Sequence, residues 1–304
     1  MQFAKQATSV EEQISLLEKR GLLIDDDELA DRWLRTVGYY RLSGYWLPFE
    51  TEPDPGQTRS KLFRDGTTLS QIIEIYIFDR ELRSLFMEAI ERIEVAVRAC
   101  WTNRLSHKFG AHAHLQPHLF ASESDHLSRL TRLAKRVEES NETFIRHYLN
   151  TYSSPQSPPL WAVTELFSFG ELSKLVSSTR DREIRAKVAA DLEFPNRETL
   201  TGTLQHLAYV RNICAHHSRL WNRRFVKRLP NIKRLRDRLD VSIDGEQRQV
   251  ENTVFNTLVI LCSLLRHQAA DTTYPLRTTK LLSERSNEQL AMMGCPENWR
   301  ERLS

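Results

Sequence analysis

Apolar residues recur at helical spacing along most of the chain, and nowhere do they alternate with the period of two of a half-buried strand. The longest pattern spans residues 69–107, where Ile72, Ile75, Leu82, Phe86, Ala89, Ile93, Val97 and Cys100 mark one stripe. Phe78, Leu85 and Trp101 widen it, and neither Pro nor Gly breaks it. Upstream, residues 8–36 predict two short helices. Thr8 or Ser9 can cap the first, with Glu11 and Glu12 behind, Gly21 ends it, and Asp25–Asp27 can cap the second. Downstream, the pattern predicts a polar helix over 123–152, an apolar one over 160–178 interrupted at Gly170, and a short one over 181–191. After Pro195 a helix carries Leu200, Leu204, Leu207 and Ala208, and a last apolar one covers 249–268 through Val250, Val254, Leu258, Leu261 and Leu265. Residues 271–304 are mostly polar and taper off. The fold class is all-α, a helical bundle around the 69–107, 160–178, 199–220 and 249–268 segments.

Punctuation sets the organisation. Pro53, Pro55 and Gly56 mark a loop over 51–60, and three prolines make 153–159 a connector between helices of one core. The chain divides into an N-terminal helical and aromatic module (1–60), a helical bundle (61–270) and a C-terminal tail (271–304). The module's two short helices fit a winged-helix-like unit or a plain helical cap. Between them and the loop, Tyr39, Tyr40, Tyr45, Trp46 and Phe49 surround Arg41. Such rings can stack on bases. The favoured reading is that they pack the module together, with their polar tips hydrogen-bonded. His112, His114 and His118 lie in a loop with Gly110 and Pro117, without a rigid element to fix ligand geometry, so no metal and no cofactor is expected.

The 304 residues carry a net charge of only +3, too little to name a partner. The distribution says more: residues 211–240 hold eight Arg and two Lys against two Asp, a footprint for a polyanion. Four widely spaced cysteines (100, 214, 262, 295) form no CxxC pair, which argues for a reducing cytoplasm. No apolar run reaches the ~18 residues of a membrane span, and the N-terminus lacks a signal-peptide pattern.

The densest chemistry is the string from Arg211 to Asn222, which packs Arg211, Asn212, His216, His217 and Arg219 together. Arg211 continues an apolar stripe and needs a partner there, a carboxylate or a bound anion. If the helix runs on, Asn212, His216, Arg219 and Arg223 line one polar face. Arg211 and His216 would then lie about 140° apart. They can share one site only at its flank, or if the helix ends or bends near His216. Histidine moves protons near neutral pH, and arginine forks onto phosphate oxygens. Together they can cleave RNA without a metal, provided that two proton-handling groups are present. The bland alternative is a helix end whose His and Arg cap carbonyls. Asp79, in register with the long stripe, and Glu94, four before Arg98, are candidates to hold Arg211 or Arg98 in place. Bridges within their own helix are the alternative.

The string resembles the signature of HEPN-type ribonucleases, and the whole chain resembles the Abi-like (AbiD/AbiF) abortive-infection proteins of bacteria. The matching segments run from end to end in order: Gly38–Phe49, Ile77–Arg83 with Ala89–Glu94, Trp161 with Ser168–Ser173, Arg211–Asn222 and Gly294–Trp299. The resemblance implies a HEPN-like helical bundle with an N-terminal helical extension and a metal-independent RNase motif acting in phage defence. His216 is then the general acid or base with His217 in reserve, Arg211 the phosphate ligand, and Asn212 an orienting group. Arg219, Arg223, Arg224, Lys227 and Arg228 form the RNA-binding strip. One motif per chain implies a homodimer with a composite site, restrained by a regulatory RNA or an antitoxin. The rivals are a non-catalytic RNA-binding regulator and a structural interaction module.

Overall fold

Ser9 and Glu12 close a reciprocal capping box, and the first helix, α1 (Val10–Lys19), starts there. The structure is a computed structural model and describes residues 6–244, 247–269 and 271–303. Residues 1–5, on which part of the signal-peptide reading falls, and Ser304, the last residue of the predicted tail, lie outside the described residues. The chain is all-α, with fourteen α-helices and one two-stranded sheet among the described residues. It forms two compact units, residues 1–83 and 84–304.

In the first unit Asp26 caps α2 (Asp27–Thr36), accepting from the Leu29 N–H at 2.9 Å. Gly38, at φ +87°, turns the chain into α3 (Tyr39–Trp46). Leu17, Leu22, Ala30, Leu34 and Leu42 are buried. The aromatic segment packs within the unit as an edge-to-face array. Ring centroids are 5.0 Å apart for Tyr39 and Trp46, 5.2 Å for Tyr45 and Tyr76, and 6.0 Å for Trp46 and Phe63. Tyr40 alone of the segment's large rings stays open, 92% exposed. The long α4 (Leu69–Phe109) supplies this unit's last turns. There the Tyr45 hydroxyl donates to Asp79 at 2.6 Å, and Arg83 pairs with the same carboxylate.

The second unit takes residues 84–109 of α4, then α5 (Glu123–Glu139) and α6 (Thr143–Thr151). The predicted 123–152 helix is therefore two, broken at residues 140–142. Next come α7 (Leu160–Val163), α8 (Phe169–Ser178), α9 (Arg182–Asp191) and α10 (Arg197–Ala215). The break before α8 falls at Phe167 and Ser168 rather than at Gly170. Ser168 and Glu171 form a capping box that starts the helix, leaving Gly170 inside its first turn. α10 packs on α8 and α9. α4 is pinned beside them by Trp101 Nε1 donating to Thr179 at 3.0 Å, Arg104 to Asp191 at 2.7 Å and Lys108 to Asp181 at 2.7 Å.

Two expectations for the C-terminal third need correction. Two short strands pair antiparallel, β1 (Val241–Asp244) with β2 (Gln247–Val250), in register Val241 to Val250. α11 (Val254–Gln268) therefore begins later than its apolar pattern, where the Thr253 side chain accepts from Asn256 N–H. This helix is buried nearly all round, as a central core helix must be. Residues beyond 271 are not a tapering tail. They form α12 (Tyr274–Ser283), α13 (Asn287–Met292) and α14 (Trp299–Leu303), and α11 carries α12 and α14. Their buried residues (Tyr274, Leu282, Leu290, Met293, Trp299 and Leu303) are sparse, so the segment's average looks polar although one face is not. Gly294, at φ +80°, is required twice over: a Cβ there would lie 2.5 Å from Thr253 Cγ2. No helix among the described residues is long and apolar enough to cross a membrane.

Candidate active site at the end of α10

α10 buries Leu200, Leu204, Leu207, Val210 and Ile213, and this fixes how its last turn is presented. Arg211 is half-buried and Asn212 is exposed. The helix ends at Ala215, and His216 is its C-cap, its N–H donating to the Asn212 carbonyl at 3.0 Å. His217 follows at φ +54°, in the left-handed region. Its N–H donates to the Cys214 carbonyl at 3.0 Å, and that of Ser218 to the Ile213 carbonyl at 3.0 Å. This pair of bonds is a Schellman turn, whose left-handed position is usually glycine. A histidine there carries roughly 1 kcal/mol of backbone strain. Beyond it Leu220 and Trp221 are fully buried, and Trp221 Nε1 donates to the Gln289 carbonyl at 3.3 Å. The turn is thus fastened on both sides, with His216 and His217 exposed between the anchors.

This geometry corrects the continued-helix reading. Asn212, His216, Arg219 and Arg223 do not share one helical face, because the helix stops before Arg219. His216 still closes the helical bond to Asn212 and so keeps its place about 140° round the axis from Arg211; the chain leaves that phase only at His217.

Arg211 makes neither an ion pair nor a side-chain hydrogen bond among the described residues, yet it lies close enough to Glu94 to act on its charge. Glu94 pairs with Arg98 at 2.7 Å, and Arg98 reaches on to Glu165 at 2.8 Å and the Phe167 carbonyl at 3.1 Å. Burial raises the Glu94 pKa, opposed by the charges of Arg98 and Arg211. Of the two acids named from the sequence, Glu94 therefore joins Arg98 in the field of Arg211. Asp79 belongs to the first unit, where Tyr45 and Arg83 hold it. Glu165 was not legible in the sequence: it lies 67 residues from Arg98, and no local spacing signals the contact.

The basic strip is an irregular segment clamped to the unit by Phe225, Leu229, Ile232, Leu235 and Leu239, all buried. Arg223 donates through Nε to the Arg219 carbonyl at 2.8 Å, and Arg224 pairs with Glu251 at 3.1 Å. Lys227, Arg228, Lys233 and Arg236 are exposed and make no ion pair among the described residues. The strip's backbone is held from within by His206, whose Nδ1 lies 2.8 Å from the Lys227 carbonyl and whose Nε2 lies 3.0 Å from Thr257 Oγ1. Burial lowers the His206 pKa to about 4, so it is a neutral structural residue near pH 7. Among the described residues no group of three or more His, Cys, Asp or Glu is placed to hold a metal ion.

A model of the Abi-like protein family matches residues 32–222, from α2 through the α10 turn to Asn222. No curated protein matches the chain. No solved structure matches it either.

Proposed function

Because the chain belongs to the Abi-like protein family, whose role is abortive infection, we propose that it is a metal-independent, HEPN-type endoribonuclease acting against phage in bacteria. One observation carries this reading: Arg211 is half-buried, at the edge of an ion-pair cluster, and its guanidinium has no partner of its own among the described residues. A half-buried guanidinium whose nitrogens reach solvent is open to an anion. RNA phosphate is such an anion, and the two exposed histidines of the turn are available for proton transfer.

In the reaction His216 takes the proton from a ribose 2′-OH, and the oxygen attacks the adjacent phosphorus. The bond from phosphorus to the 5′ oxygen breaks as a second group protonates that oxygen. The products are a 2′,3′-cyclic phosphate and a free 5′-OH. Arg211 binds the non-bridging oxygens as charge develops, and Asn212 donates to the same phosphate. His217, or the motif of a second copy in a homodimer, is the second proton-handling group. Arg219, Arg223, Arg224, Lys227 and Arg228 hold flanking phosphates. The site is cytoplasmic, and a cognate RNA or antitoxin restrains it.

The test is cleavage of total bacterial RNA in excess EDTA by wild-type, Arg211→Ala and His216→Ala proteins of proven fold. Cleavage by wild type alone, with cyclic-phosphate ends, is the expected outcome. Equal cleavage by all three would sink the assignment. A second reading, RNA binding without cleavage, draws on the open cations at Lys227, Arg228, Lys233 and Arg236. Salt-dependent binding that survives His216→Ala, with no cutting by wild type, would favour it.

A further inference from the structure

Trp161 is the second residue of α7, just after the proline connector, and is 54% exposed. It stands between two open grooves of the second unit and lines both. One, about 610 Å³, is walled by Phe144, Tyr148, Tyr152, His112 and His147. Phe144 and Tyr152 are themselves 40% and 53% exposed, so three of the chain's open large hydrophobic side chains share one face. The other groove, about 570 Å³, runs past Val95, Thr102, Asn103 and His107 to Arg98. Glu165 lines both.

The rings are held rather than loose. The Tyr148 hydroxyl lies 3.3 Å from His112 Nε2 and donates to the Pro155 carbonyl at 2.9 Å, and the Tyr148 and Tyr152 rings are 5.0 Å apart. The Trp161 indole N–H has no partner among the described residues. Flat apolar faces edged by a few donors and acceptors suit a planar heteroaromatic ring with polar edges better than an aliphatic chain. The grooves also connect with the α10 site: Glu165 holds Arg98 at 2.8 Å, Arg98 holds Glu94 at 2.7 Å, and Glu94 lies in the field of Arg211.

We propose that the grooves flanking Trp161 are a stacking subsite for unpaired nucleobases of the RNA strand whose phosphate sits at Arg211. The strand's identity rests on the ribonuclease reading; the stacking chemistry of the groove does not. Bases must be unpaired to reach the rings, so the substrate is single-stranded or looped RNA.

Binding of a short unstructured RNA and of a duplex of equal length, each at several salt concentrations, tests this with wild-type, Trp161→Ala, Trp161→Phe and Tyr152→Ala proteins. Trp161→Ala should weaken binding of the unstructured RNA by about tenfold, and Trp161→Phe should restore most of it. Duplex affinity and the slope of affinity against salt should not move, because no phosphate contact is lost. Equal affinity of wild type and Trp161→Ala for unstructured RNA overturns the proposal. So does an equal loss on both RNAs, or failure of Trp161→Phe to rescue in a protein of wild-type Tm. Adenosine monophosphate, titrated directly, separates a strand from a free nucleotide. Trp161-dependent binding of the mononucleotide alone, with RNA binding unchanged, overturns the strand assignment. Trp161-dependent RNA binding without cleavage would leave the subsite standing and remove the nuclease reading. Cleavage indifferent to Trp161 would do the reverse, and a wild type that binds no RNA would remove both.

Discussion

α4 carries two arginine–carboxylate pairs of the same i, i+4 spacing, Asp79 with Arg83 and Glu94 with Arg98. They differ in what surrounds them. The first is closed: the Asp79 side chain has no exposure, Arg83 covers it, and the Tyr45 hydroxyl completes it from α3. Burial and the Asp79 charge raise the Tyr45 pKa, so the phenol stays a donor. The second is open. Glu94 and Arg98 are partly exposed, Arg98 has a further acid in Glu165, and Arg211 adds a positive charge that acts on Glu94 without an ion pair or hydrogen bond of its own among the described residues. A closed pair has its charges matched and fixes a packing. An open one with a spare guanidinium has capacity for an external anion. The same local pattern therefore serves structure in one unit and, on our reading, chemistry in the other.

The largest effect that would sharpen this contrast is kinetic. Arg211→Ala and His216→Ala should each lower RNA cleavage by roughly 10²–10⁴-fold, read as initial rates, with denaturation midpoints close to wild type. Loss of fold in either variant would erase the distinction. Next is the closed pair: Asp79→Ala should lower the unfolding free energy by about 3–5 kcal/mol in urea denaturation, because it leaves Arg83 buried and unpaired. Glu94→Gln should cost under about 1 kcal/mol in the same assay, since burial already disfavours its charge. The raised Glu94 pKa gives a contribution fully present below its ordinary value of 4.5 and lost as pH rises through the folded-state value.

His206 titrates with the opposite sign. The unfolded side chain takes its proton near 6.5 and the folded one only near 4. Stability should therefore fall as pH drops through that window, by on the order of 3 kcal/mol from this residue alone. Unfolding curves of wild type and His206→Gln between pH 7 and 4 should converge as acid is added; parallel curves would remove the assignment. The smallest expected effect is at His217. Glycine relieves the left-handed strain, so His217→Gly should raise stability by about 1 kcal/mol or less. Slower cleavage by this more stable variant would mark His217 as the second proton-handling group.

Much of the fold was legible in the chain. The 3.6-residue stripe drew α4 nearly to its ends, and the early caps fall among the residues offered for them, Ser9 of Thr8 and Ser9 for α1 and Asp26 of Asp25–Asp27 for α2. The dense string at Arg211 could be found because its chemistry is local in sequence. The C-terminal helices were missed because their apolar residues are few, and the strand pair β1 and β2 because four-residue strands carry too little periodicity to register. Trp161 was named in the sequence only within a family-matching segment, and its exposure sets it apart from the buried Trp101 and Trp221.

The sequence by itself determined the helical class, the caps and the presence of an Arg-Asn-His-His cluster, since each depends on neighbours within a turn or two. Only the tertiary structure decided that Arg211 lies near Glu94 without an ion pair among the described residues. It also decided that the helix stops at His216 and that Glu165 and Trp161 lie along one path from Glu94. Those facts depend on burial and on contacts across scores of residues, which no local spacing encodes.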